Sequence, residues 1–193
     1  MKAAAIDPDL AVADTLRWLE RAVIGLNLCP FAKAVHVKGQ VHHAVFDGDD
    51  LDALMARLLA EAQALVDTDP AERDTTLLVV PGALHDFLDF NDWVSRAEKR
   101  LRRAGHEGVL QLASFHPEFQ FAGTEVDDIG NATNRSPYPT LHLLREDSVA
   151  RAVEAFPEAA DIFERNIDRL EALGADGWRA LDVGPHPAKN GSP

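Results

Sequence analysis

Thr75-Thr76-Leu77-Leu78-Val79-Val80, stopped by Pro81-Gly82, is the stretch on which the fold turns. An aliphatic run of this length between a polar start and a turn suits a strand buried on both faces. Helical periodicity brackets it. Upstream, Leu51, Leu54, Met55, Leu58, Leu59, Ala62 and Leu65 recur at three- and four-residue steps behind Asp47-Gly48-Asp49, a turn and N-cap. Downstream, a helix spans about 84–104 with Phe87, Phe90, Val94, Ala97 and Leu101 inward and Gly105 as its left-handed terminator. A buried strand between two amphipathic helices belongs in a layered α/β domain.

Working outward, residues 9–28 read as a helix (Leu10, Ala13, Leu16, Leu19, Val23, Leu26) that ends at Cys29-Pro30. Residues 35–46 alternate loosely and predict an edge strand or hairpin around Gly39. Further strands fall at Val109–Phe115 and Thr140–Leu144, and helices at 146–155 and 158–173, with Pro157 starting the last and Gly174 ending it. The expected fold is a single layered α/β domain over residues 1–182, with a flexible Gly/Pro-rich tail over 183–193. It has about four strands with helices packed on the sheet. Helical crossovers between the first three strands predict largely parallel pairing, while the direction of the last strand stays open.

The chain has 193 residues, 46% of them hydrophobic, enough for one core. Its formal net charge of -13 repels phosphate backbones and anionic headgroups, so no nucleic acid and no membrane partner is expected. The single cysteine, Cys29, rules out an intramolecular disulfide and a multi-cysteine zinc site. The N-terminal residues carry no apolar signal core, and no run approaches the roughly 20 apolar residues of a membrane helix. Cytoplasm is the expected location. Nothing in the sequence assigns a cofactor or an oligomeric state.

The informative feature is the 24-residue stretch between Phe115 and Thr140, long for a loop inside a compact domain. Phe119, Phe121, Ile129 and Tyr138 argue against disorder, and Pro117, Pro137 and Pro139 stiffen it. Three blocks carry a resemblance: Gly25-Leu26-Asn27-Leu28-Cys29-Pro30-Phe31-Ala32, Ser114-Phe115-His116-Pro117-Glu118-Phe119-Gln120-Phe121, and Asn131-Ala132-Thr133-Asn134-Arg135-Ser136-Pro137-Tyr138-Pro139 followed by Leu141-His142-Leu143-Leu144-Arg145-Glu146. Over about residues 10–175 the chain resembles an uncharacterised, mainly bacterial family, domain of unknown function 1415. That resemblance implies no activity, cofactor or catalytic residue, so the chemistry has to come from the side chains.

Cys29 is either a buried small hydrophobe or a thiolate, activated if Pro30 opens a new helical turn above it. His116, just past a strand end, is a backbone-bonded histidine, a base for Cys29, or a metal ligand with Glu118 two residues on. Asp127 and Asp128 cap turns, orient a histidine or bind a metal. Asn131, Asn134 and Ser136 also suit turn capping, or substrate binding beside Arg135. Arg135, on a proline-stiffened segment, suits a bidentate clamp for a carboxylate or phosphate, or an ion pair with the loop's own acids. His142 alternates with Leu141 and Leu143 and faces the site side of its strand. His42-His43, His85, His106 and His186 read as surface residues at an edge strand, helix ends and the tail.

The leading expectation is an enzyme acting on a small anionic metabolite. Cys29 would be its thiol, His116 or His142 its base, Asp128 or Asp127 an orienting carboxylate, and Asn131, Asn134, Arg135 and Ser136 would bind substrate. The alternatives are a divalent-metal enzyme using His116, Glu118, Asp127 or Asp128, and His142, and a non-catalytic domain whose loop recognises a ligand or partner.

Overall fold

The computed structural model describes residues 6–156 and 161–186. Pro157, placed above at a helix start, and residues 187–193 of the tail lie outside the described residues. Helix α1 spans Pro8–Trp18, with proline at its first position and the Asp7 carboxylate accepting from Asp9 N. A π-helical segment, Leu19–Ile24, carries it on. It ends four residues before the sequence predicts, and Asn27 turns the chain with φ 52°.

The edge element also differs from expectation. Residues 35–46 are not one strand: α2 (Ala32–Val37) comes first, then β1 (Val41–Val45). Gly39, at φ 69°, lies between them, so its left-handed backbone follows a helix and does not turn a hairpin. Then come α3 (Leu51–Asp67), β2 (Thr75–Val79), α4 (Phe87–Leu101) and β3 (Leu110–Phe115). Asp50 and Asp86 each cap the following helix through two backbone N–H groups. A π-helical turn (Arg102–His106) extends α4, with Gly105 left-handed as expected. The rest is a 3-10 turn (Ile129–Asn134), β4 (Thr140–Arg145), α5 (Glu146–Ala155) and α6 (Ile162–Ala180). Gly174 does not end α6; it breaks the helix at φ 69°, and the helix resumes as far as Ala180. No helix among the described residues is long and apolar enough to cross a membrane.

The strands form one sheet in the order β1-β2-β4-β3. It is mixed, not largely parallel. β1 and β2 pair in parallel, whereas β4 is antiparallel to both β2 and β3. The first three strands do run in one direction, but the 24 residues after β3 let the chain reverse and insert β4 between β2 and β3. Arg145 fixes the far end of β4: its guanidinium donates to the carbonyls of Leu65, Thr68 and Arg73, closing the C-terminus of α3.

One face of the sheet carries the main core. Leu54, Leu58, Ala62 and Leu65 of α3 pack with Phe90, Trp93 and Ala97 of α4 over Ala44, Leu78, Leu141 and Leu143. The opposite face is covered less completely. Ala11 packs with Val79 and Tyr138, and Trp18 meets Phe115 edge-on with centroids 5.0 Å apart. Farther down that face His43, Ala113, His142 and Leu144 stay only partly buried.

Candidate functional site

The long loop is ordered by its own polar side chains. His116 is fully buried between Phe87 and Phe90, with ring centroids at 5.4 and 5.0 Å. Glu118 N–H donates to its Nδ1 at 3.0 Å, so the ring proton sits on Nε2, which lies 3.0 Å from the Leu84 carbonyl and donates to it. Both nitrogens are engaged. Burial, the dominant influence, lowers the imidazole pKa and favours the neutral ring. Asn131, also fully buried, accepts at Oδ1 from Phe121 N and the Thr124 hydroxyl, and donates from Nδ2 to the Glu125 carbonyl. Ser136 donates to the Tyr138 carbonyl at 2.6 Å. Asp128 caps the 3-10 turn through Gly130 N.

Arg135 is held by the loop backbone. It makes no ion pair with the loop's acids among the described residues. Instead Nε donates to the Phe119 carbonyl at 3.2 Å and Nη2 to the Val126 carbonyl at 2.6 Å. The guanidinium ties two stretches of loop backbone together. Asn134 supplies its carbonyl to His116 N. Glu118 and Asp127 are exposed. Among the described residues no three His, Cys, Asp or Glu side chains are grouped to hold a metal ion, so His116, Glu118, Asp127 or Asp128, and His142 do not form a ligand set.

Strand parity separates Cys29 from His116. Phe115 and His116 are consecutive at the end of β3 and point to opposite faces. Phe115 joins Trp18, and the half-buried Cys29 packs into that same cluster. His116 points into the α4 side. No hydrogen bond links the Cys29 sulfur to any base among the described residues. His142 is the histidine on the Cys29 side, because it pairs with Ala113, two residues before Phe115. Its ring centroid lies 6.1 Å from that of Phe115.

His142 and His43 form the most chemically open spot on that face. They stand either side of Leu77 in one row across three strands, roughly 10 Å apart at the backbone by strand spacing. The Thr75 hydroxyl donates to the Leu143 carbonyl and accepts from His142 Nε2 at 2.6 Å, leaving Nδ1 as an acceptor. His142 is enclosed by protein on most sides and is only partly exposed as a residue. Burial, with His43 as a lesser influence, pushes its pKa down to about 4. His43 is also lowered, by burial first and then by His42 and His36, and its Nε2 is buried with no hydrogen-bond partner. An orphan acceptor or donor of this kind costs free energy unless a ligand or water meets it.

The sequence reading missed several residues here. His43, expected at the surface of an edge strand, is partly buried. His106, read as a surface residue, is buried. Asp14 is fully buried, and its carboxylate receives Tyr138 Oη (2.7 Å), Arg17 Nη1 (2.8 Å) and His186 N (2.9 Å). Burial alone would raise its pKa, but the bonds from His186, Tyr138 and Arg17 outweigh that and hold it low. A charge at the core-facing position between Ala11 and Trp18 was the available signal. The same network fastens the start of the expected loose tail: Arg17 donates to the carbonyls of Asp182 and Gly184, and Val183 is buried. Ordered structure therefore continues past 183, through His186. Asn166 and Arg169 of α6 donate to the carbonyls of Leu28, Leu26 and Asn27, while Leu170 packs with Leu28 and Ala132. Two of the three sequence blocks thus meet on α6.

The fold defines a single-sheet α/β protein with a half-covered sheet face. The chain matches the family described as "Protein of unknown function (DUF1415)" over residues 10–180, and it belongs to that family. No curated protein and no solved structure matches it.

Proposed function

We propose that the chain is a small-molecule-binding protein whose ligand lies across the row His43, Leu77 and His142. The observation that carries this reading is the buried Nε2 of His43, left without a partner and two strands across the row, beyond Leu77, from a second neutral imidazole. Two imidazoles held below their ordinary pKa are uncharged at neutral pH. They offer hydrogen-bonding nitrogens, not positive charge, so the matching ligand is a neutral molecule with hydroxyl or amide groups on an apolar body. Phe115 and Leu144, both partly exposed on that face, would take the apolar part.

This reading favours the non-catalytic alternative over a thiol enzyme, because Cys29 has no base bonded to its sulfur among the described residues. If chemistry does occur, His142 is the histidine on the thiol's side.

A thermal-shift screen of neutral polar metabolites against the wild type, His43→Phe and His142→Phe tests the proposal. The expected result is a compound that stabilises the wild type by several degrees between pH 7 and 8 and neither variant. Two outcomes oppose it: stabilisation that survives both substitutions, or no stabilising compound together with both phenylalanine variants melting higher than wild type. The second would mean that the row prefers simple apolar filling.

A further inference from the structure

An anion was expected at Arg135, but that guanidinium is committed to loop carbonyls, and the uncommitted cations lie elsewhere. Arg96, Lys99, Arg100 and Arg103 project from one stripe of α4 and its extension into a groove against α3. The stripe covers about 10 Å of helix at 1.5 Å per residue. None of the four makes an ion pair or side-chain hydrogen bond among the described residues, in a chain whose formal net charge is -13. The groove holds ≈ 610 Å³, within the roughly 300–1,000 Å³ usual for small-molecule sites. Its floor is apolar, with Met55 and Leu59 half-buried and Trp93 closing it beneath. Asp52 is the one acid lining it.

We infer that this groove binds a small organic phosphate, its charged end among Arg96, Lys99, Arg100 and Arg103 and its apolar part on Met55 and Leu59. Four cations within reach of one another over about 10 Å are far more than a helix C-terminus needs to offset its dipole. Screening over about 8 Å at physiological salt limits what a ligand feels to its immediate surroundings. A compact anion in the groove therefore meets the four cations and Asp52, while Asp49, Asp89 and Asp92 line the adjoining hollow on the other side of Arg96. A nucleic acid, an anionic bilayer or an acidic protein would span both and be repelled by the rest of the surface. Guanidinium groups also match phosphate oxygens in bidentate fashion.

The test uses the full-length chain and 2-naphthyl phosphate, with inorganic phosphate and 2-naphthol as the two halves of that probe. Calorimetry should show naphthyl phosphate binding at least tenfold tighter than either half, and weakening as salt rises from 50 to 500 mM. Arg96→Gln and Arg100→Gln should each weaken it at least fivefold, while Arg102→Gln, outside the groove, should leave it unchanged. The Met55 methyl resonance should shift on titration, a readout on the wild-type protein that needs no variant. The inference is overturned if naphthyl phosphate does not bind at millimolar concentration or leaves the Met55 methyl unmoved. It is equally overturned if Arg102→Gln weakens binding as much as Arg100→Gln, or if phosphatidylserine vesicles or a single-stranded oligonucleotide bind more tightly than the probe.

Discussion

Replacing Arg135 by lysine separates a loop pin from an exposed anion clamp. In the structure Arg135 donates from two different nitrogens to carbonyls at Phe119 and Val126. A lysine ammonium is a single point on a flexible stem and can keep one of these at best. A hydrogen bond from a charged group contributes about 1.5–3 kcal/mol. Arg135 is only partly buried, so water competes and the lower end applies, giving a loss of about 1.5–2 kcal/mol. For a domain of this size each kcal/mol moves the melting temperature by about 2–4 °C. The expected drop is therefore about 3–8 °C, measured by calorimetry or circular dichroism without added ligand. Urea unfolding should give the same loss with an unchanged m-value. A surface arginine with no structural duty would cost under about 0.5 kcal/mol. A melting temperature within about 1 °C of wild type would refute the pin and return Arg135 to ligand binding.

Three further outcomes follow from the geometry. The His142 pKa is about 4 in the folded chain against an ordinary 6.5, so the unfolded chain takes up a proton first. Stability from this group is intact above pH 6.5 and falls by about 1.4 kcal/mol per pH unit down to about pH 4. His142→Asn should remove that slope, some 3 kcal/mol in total, when urea unfolding is compared across the range; an unchanged slope would contradict the burial argument. Asp14→Ala strands Arg17, Tyr138 and His186 and should cost roughly 3–5 kcal/mol, as for a buried pair that loses one partner. Limited proteolysis should then cut near 182–186, sites that the wild type protects. Gly82→Ala would drive its Cβ into the Asp47 carbonyl oxygen and should cost about 1–3 kcal/mol by forcing that backbone apart, read as a lower urea midpoint.

The helices α3 and α4 and the strand between them were legible because their periods are strong, but their starts were not: the caps are Asp50, one residue past the Asp47-Gly48-Asp49 turn, and Asp86, so α4 begins at Phe87 and not at 84. Gly105 was legible from local chemistry. The place of β4 was not. Strand order depends on where a 24-residue excursion delivers the chain, and nothing local to Thr140–Arg145 records that β2 and β3 leave a gap for it. The loop's order could be read from its prolines and aromatics, but not the employment of its polar residues. Asn131, Arg135 and His116 have the composition of a binding site, yet they satisfy backbone groups that a buried loop would otherwise strand. Cys29 and His116 looked able to meet because both sit near element ends. The alternation between Phe115, the last residue of β3, and His116 just past it sends them to opposite faces. The burial of His43 is not legible locally, because the helix that packs on β1 is α1, far away in the sequence.

The most direct test of the His43–His142 row as a ligand site is to follow the ring nitrogens of both histidines by ¹⁵N-resolved NMR while titrating the compound that gives the largest thermal shift. The account predicts that both imidazoles are neutral at pH 7 and that His142 titrates near pH 4. It also predicts that His43 Nε2 and His142 Nδ1 move together on ligand addition while His116 stays still. Movement confined to His116, or a His142 that titrates near 6.5, would contradict it.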